Sequence, residues 1–158
     1  MSQFEPITNE LTKLINEWEP KLLGLQEEVI TKRKNAQNRS IRQIVGHMCD
    51  SASNNAHRII HLQYQKSPLQ FPNYASYGNN DRWIAIQNYQ EEDWKNLVYL
   101  WKYLNLHIIH VMGNVDYTKL DNQWQADADK FISLKDNITE YLPHFRLHLK
   151  EIENLADF

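Results

Sequence analysis

Apolar residues return at steps of three and four along most of this chain, and a rhythm of that period confines it to amphipathic helices packed stripe against stripe. The clearest run starts at Ser40, with Ile41, Ile44, Val45, Met48, Ala52, Ala56, Ile59 and Ile60 pointing inward over about five turns at 3.6 residues each. Four glycines and five prolines in 158 residues are too few for the many turns of a sheet protein. The fold class predicted is therefore all-α, with four helices in one domain spanning residues 1–158.

The first helix is predicted from about Thr8 to Thr31, with Leu11, Leu14, Ile15, Trp18, Leu22, Leu25, Val29 and Ile30 inward and a kink at Pro20. The second opens at Ser40-Ile41-Arg42-Gln43, the reciprocal capping spacing, and ends near Ser67-Pro68. Residues 67–80 carry two prolines, a glycine and three asparagines, which makes them a long connection. A link of that length lets the second and third helices run parallel. The third helix starts near Asp81, carries Trp83, Tyr89, Trp94, Leu97, Val98, Trp101, Leu104, Ile108 and Val111 inward, and stops at Gly113-Asn114, with a break expected around Glu91 to Asp93. A polar stretch holding Trp124 follows. Ser133-Leu134-Lys135-Asp136 then opens a fourth helix through about Leu155, its stripe being Leu134, Ile138, Tyr141, Leu142, Phe145, Leu149 and Ile152.

Composition removes several classes of function. A net charge of −3 argues against a surface dominated by phosphate-backbone contacts, so nucleic acid is not an expected partner. No run approaches the roughly 20 apolar residues of a membrane helix, and Met1 to Pro6 have no basic patch leading into an apolar stretch. Neither a membrane span nor a secretory leader is expected. The single cysteine, Cys49, excludes an internal disulfide and fits a reducing compartment, which makes the cytoplasm the expected location.

Seven histidines remain as the distinctive chemistry. His144 and His148 stand at i, i+4, so their rings leave one helix face a single turn apart, beside Phe145 and Ile152. His47 lies beside Ile44, Met48 and Ser51 on the second helix. Three imidazoles from two facing helices would hold a first-row divalent ion and leave positions for water or substrate. On spacing alone, satisfied core histidines remain the alternative. His57 and His61 form a second i, i+4 pair, but His61 is 14 residues from His47, about 21 Å of helix rise, and cannot join the same site. His107 and His110 fall near the end of the third helix, where they can cap carbonyls. Cys49 diverges by about 200° from His47 around the helix, so a Cys–His nucleophile is set aside. Phe71, Tyr74, Tyr77 and Trp83 form an aromatic cluster that packs on the core, covers one bundle end as a lid or meets a second copy of the chain. Lys32-Arg33-Lys34 with Arg39 reads as a solvated basic loop.

The stretches from Ser40 to Arg58 and from Glu140 to Ile152 resemble the histidine-bearing helices of the DinB-like proteins, and Tyr89 to His107 is similar to that family's third helix. The first 39 residues match only as a helix of suitable length. The resemblance implies an up-down-down-up four-helix bundle with a divalent metal, often nickel or zinc, with iron or manganese as further choices. Its ligands would be one histidine of the second helix and an HxxxH pair of the fourth, here His47, His144 and His148. Three positions depart from the family pattern. Glu140 stands where aspartate is common, Leu147 replaces a histidine before the last ligand, and Pro143 directly precedes His144 and should kink the helix there.

A zinc-like ion at such a site makes water a nucleophile near neutral pH. Glu140, one turn before His144, is the candidate catalytic proton acceptor or the carboxylate partner of an imidazole, and Asp50, one turn after His47, is a candidate for the second role. For both, an ordinary solvated or structural carboxylate is the alternative. Ser51 and Asn54 share the His47 side and either line a cavity or bond to backbone. The resemblance implies a metal-dependent enzyme acting on a small molecule, either a hydrolase or a small-thiol transferase. The rival is a non-catalytic metal-binding or dimerisation bundle, which would have a closed core beside the ion. A homodimer is a compatible assembly for either.

Overall fold

The computed structural model describes residues 2–158. Seven α-helices and one hairpin follow in the order α1 (Glu5–Leu23), α2 (Glu27–Lys32), α3 (Ile41–Tyr64), α4 (Asn79–Gln87), α5 (Trp94–Gly113), β1 (Gln123–Asp127), β2 (Lys130–Ser133), α6 (Leu134–Thr139) and α7 (Tyr141–Ala156). The four long ones, α1, α3, α5 and α7, make a four-helix bundle. Their buried stripes meet in one core that includes Leu11, Ile44, Trp101, Ile108, Phe145 and Ile152.

Hydrogen bonds at the helix ends fix how these rods lie. Arg42 donates to the carbonyl of Glu92 just before α5, and Gln63 accepts from the N–H of Asp116 just after it, so like ends of α3 and α5 meet. The Trp94 indole at the start of α5 donates to the Leu22 carbonyl at the end of α1, so those two helices oppose each other. The Arg146–Glu10 pair and the edge contact of Phe158 on Trp18 put α7 alongside α1 in the same sense.

Capping and breaking residues explain where the helices differ from the predicted four. Ser40 accepts from the Gln43 N–H while the Gln43 side chain accepts from the Ser40 N–H, so the reciprocal cap opens α3 as expected. Ser133 accepts from the Asp136 N–H and opens α6. The predicted Thr8–Thr31 helix instead begins at Glu5 and is cut after Leu23. Pro20 has no N–H to continue the ladder, the chain runs one more turn, and Gly24-Leu25-Gln26 redirect it into α2. The third helix breaks as expected, with Asn88 in the left-handed conformation and a 3₁₀ turn at Tyr89–Glu91 between α4 and α5. The fourth is interrupted at Glu140, where the proline effect takes the form of a new helix start. Pro143 falls in the first turn of α7, where a missing N–H leaves no bond unmade.

Two inward assignments fail. Ile60 is 44% exposed and Trp83 38%, because each lies at the edge of its stripe, and Trp83 meets Tyr74 edge-on at the surface. Arg39 is not a solvated loop residue: it is buried and ion-paired to Asp81 at 2.8 Å.

Residues 114–132, read only as a polar stretch, contain an antiparallel hairpin added to the helical bundle, with Trp124 opposite Ile132. Its buried face is Trp124 and Ala126, at period two. The long connection joins it, since the Leu69 N–H donates to the Gln123 carbonyl at 2.7 Å and the Leu69 carbonyl accepts from Gln125 at 3.1 Å. Loop and hairpin together wall off one side of α3. No helix among the described residues is long and apolar enough to cross a membrane.

Candidate metal centre

α3 presents His47 from a fully buried segment between Val45 and Met48, and α7 presents His144 and His148 one turn apart. The three imidazoles converge. One ring nitrogen from each lies within 4.8 Å of the other two. The rings of His144 and His148 stand perpendicular, 89° apart at 4.4 Å between centroids, with their Nε2 atoms 3.2 Å apart. His47 approaches His148 edge-on at 4.7 Å and His144 at 6.1 Å. The break at Glu140 therefore leaves His144 in place: its N–H bonds the Glu140 carbonyl at 3.3 Å, as a first-turn residue should.

Proton affinity in the cluster is low. Burial, reinforced by the nearby His148 ring, brings His47 down to about 3, and the same two causes bring His144 to about 4. Both rings are neutral at pH 7 and keep lone pairs to offer. His148 Nδ1 lies 2.9 Å from the Glu151 carboxylate, an acceptor that fixes the proton on Nδ1 and turns the Nε2 lone pair toward His144. His47 Nδ1 is buried and has no hydrogen-bond partner among the described residues. A buried ring nitrogen left unsatisfied is uncommon in folded proteins, and here it belongs to one of three convergent imidazoles, so the residues fit a divalent ion.

Beside the histidines opens a cavity of about 340 Å³, whose wall includes His47, Ser51, Arg58, Tyr74, Glu140 and His144. Tyr74 comes from the long connection and packs on His47 with ring centroids 6.1 Å apart. Burial pushes its hydroxyl up to about 12, so it stays protonated. Glu140 is exposed and lies on the cavity wall at the junction of α6 and α7. Asp50 does not partner a histidine. Its Oδ1 accepts from the Tyr89 hydroxyl at 2.6 Å and from Gln87 at 2.8 Å, and burial raises its pKa. Asn54 bonds back to the Asp50 carbonyl, while Ser51 faces the cavity. Cys49 is buried, which raises its thiol well above the usual range. His57 and His61 stack on each other along α3, as do His107 and His110 on α5, and neither pair joins the cluster.

Reading the sequence by spacing misses Glu151 and names Tyr74 only as one of an aromatic cluster, without its place beside His47. Glu151 stands at i, i+3 from His148, a spacing that places it on the same face. The position of Tyr74 has no local signal, because it is set by the loop's attachment to the hairpin.

The chain is thus a four-helix bundle in which three imidazoles converge and two of them, His47 and His144, line an open cavity. The bundle of YfiT from Bacillus subtilis, described as a probable metal-dependent hydrolase with an unusual four-helix bundle topology, is similar over 99% of this chain and 89% of its own, with a TM-score of 0.78 and 17% identity. At that identity the likeness establishes the fold, the one implied by the resemblance of the histidine-bearing stretches. No family model and no curated protein matches the chain.

Proposed function

We infer that the chain is a divalent-metal-dependent hydrolase of small molecules, with His47, His144 and His148 as ligands and Glu140 as proton acceptor. The observation that carries this reading is the meeting of three imidazoles, one with an unsatisfied buried nitrogen, two of which, His47 and His144, line an open cavity. Three nitrogen donors suit zinc or nickel first, with iron and manganese as further choices. A divalent ion there supplies Lewis acidity that makes water a nucleophile near neutral pH.

The chain's own groups do the rest. Glu151 holds the His148 proton on Nδ1, and desolvation keeps His47 and His144 in their neutral form, so neither of those two has to lose a proton at pH 7. Glu140 shares the cavity with His144 and is the carboxylate that accepts the proton of the attacking water. The rival, a non-catalytic metal-binding or dimerisation bundle, calls for a closed core, and a cavity large enough for a small molecule speaks against it. Transfer of a small thiol uses the same ion and cavity, and no group on the wall favours a thiol over water.

Metal analysis of protein purified without a histidine tag should give one divalent ion per chain. His144→Ala should lose it and keep its helical spectrum, and unchanged metal content would reject the ligand set. With the ion bound, esters or amides should turn over without added thiol, and Glu140→Gln should lower kcat by about 10²–10⁴-fold. Turnover that appears only with a thiol and an electrophile would replace hydrolysis by transfer.

A further inference from the structure

The cavity carries a positive charge that hydrolysis does not use. Arg58 lies eleven residues beyond His47 on α3, within about 20° of the same face and about 16 Å further along the axis. It is 5% exposed, and burial lowers its guanidinium only to about 10, so it is charged at neutral pH. Among the described residues no carboxylate forms an ion pair with it. Its Nη1 donates to Asn55 and Asn137 at 3.2 Å each, and its Cζ lies 3.5 Å from the Trp124 ring centre. Nε has no partner. Two amide oxygens and one ring replace only part of the solvation of a buried cation, and the missing counter-charge has one open approach, from the cavity.

We propose that Arg58 is an anion receptor, and that the compound taken into this cavity carries a carboxylate or phosphate at the end remote from its reacting bond. The identity of the reacting end rests on the hydrolase reading; the anion site does not. The cavity's other charges agree with the assignment. Lys130 adds a second cation at the exposed rim, and Glu140, the one carboxylate among the described residues of the wall, is exposed and forms no ion pair with Arg58. The spacing of His47 and Arg58 calls for an elongated molecule, and about 340 Å³ is within the size range of small-molecule sites.

The test is titration of the full chain with 4-phenylbutyrate, 4-phenylbutyl phosphate and neutral 4-phenylbutyramide, followed by proton–nitrogen NMR of the Arg58 Nε–H and the Trp124 indole. Wild type, His144→Ala and Arg58→Gln are compared, each checked for its helical spectrum. Both signals should shift with an oxyanion and not with the amide, binding should favour at least one oxyanion by tenfold or more, and the preference should survive His144→Ala and vanish in Arg58→Gln. The oxyanion that binds more tightly names the group recognised. Equal anion binding in Arg58→Gln, or its loss in His144→Ala, would put the oxyanion on the metal and overturn the proposal. An unmoved Arg58 signal in wild type overturns it even if Arg58→Gln fails to fold. Absence of ester turnover with anion binding intact would remove the hydrolase reading alone.

Discussion

Gly46 precedes His47 on α3, and the ring of Tyr89 lies where its side chain would be. A Cβ added there meets Cδ2, Cγ and Cε2 of Tyr89 at 2.1, 2.3 and 2.5 Å, where ordinary contact begins near 3.4 Å. In Gly46→Ala the ring must therefore retreat by about 1 Å or more, yet it is 3% exposed and its hydroxyl holds Asp50 at 2.6 Å. Overpacking of this kind costs about 1–3 kcal/mol, and weakening a hydrogen bond to a buried carboxylate adds up to about 1.5–3 kcal/mol. Alanine returns about 1 kcal/mol of helix propensity. The expected net loss is about 2–4 kcal/mol, seen in urea melts as a lower midpoint at constant slope, and as a fall in Tm of about 5–15 °C. A double-mutant cycle separates the causes. In a Tyr89→Ala background the clash is gone, so Gly46→Ala should stabilise by about 1 kcal/mol, a reversal of sign. An equal loss in both backgrounds, or a gain in the wild type, would refute the packing of α3 against Tyr89.

Stability without metal should fall as pH drops. The unfolded chain takes up protons on these histidines near 6.5, while His47 and His144 stay neutral in the fold to about 3 and about 4, so unfolding binds protons across that interval and acid favours it. Chelator-treated protein should show a lower urea midpoint at pH 5 than at pH 7, with a smaller difference in His47→Gln; equal slopes in the two proteins would show that His47 is not buried neutral. Glu151→Gln should weaken metal binding by about 10–100-fold in competition with a chelator and leave the melting curve of the metal-free chain nearly unchanged. Unaltered affinity would mean that the carboxylate does not hold His148 in its ligating tautomer.

Legibility divided along a physical line. His47, His144 and His148 are readable because helical period ties each ring to a face already identified by its apolar neighbours, and two such faces can meet only across the core. Asp50 shows the limit of that inference: spacing put it a turn from His47, but Tyr89 and Gln87, from another segment, claimed its carboxylate. The hairpin was silent for a related cause. Ala128-Asp129 lacks the glycine or asparagine of a tight-turn signature, only Trp124 and Ala126 alternate into the core, and the pairing that secures them comes from Leu69, more than fifty residues away. Helix faces are local information, whereas a wall built from loop, hairpin and helix is a set of long-range contacts. The ligand-ready imidazoles belong to the first kind. Arg58 belongs to both: its inward face is visible in the period of α3, but its function depends on Trp124 and Asn137, which take the place a carboxylate would otherwise fill. Substrate selection therefore resides in the part of the cavity contributed by the hairpin and the long connection. Exchanging those segments should change which molecules bind, while the three imidazoles on α3 and α7 still meet.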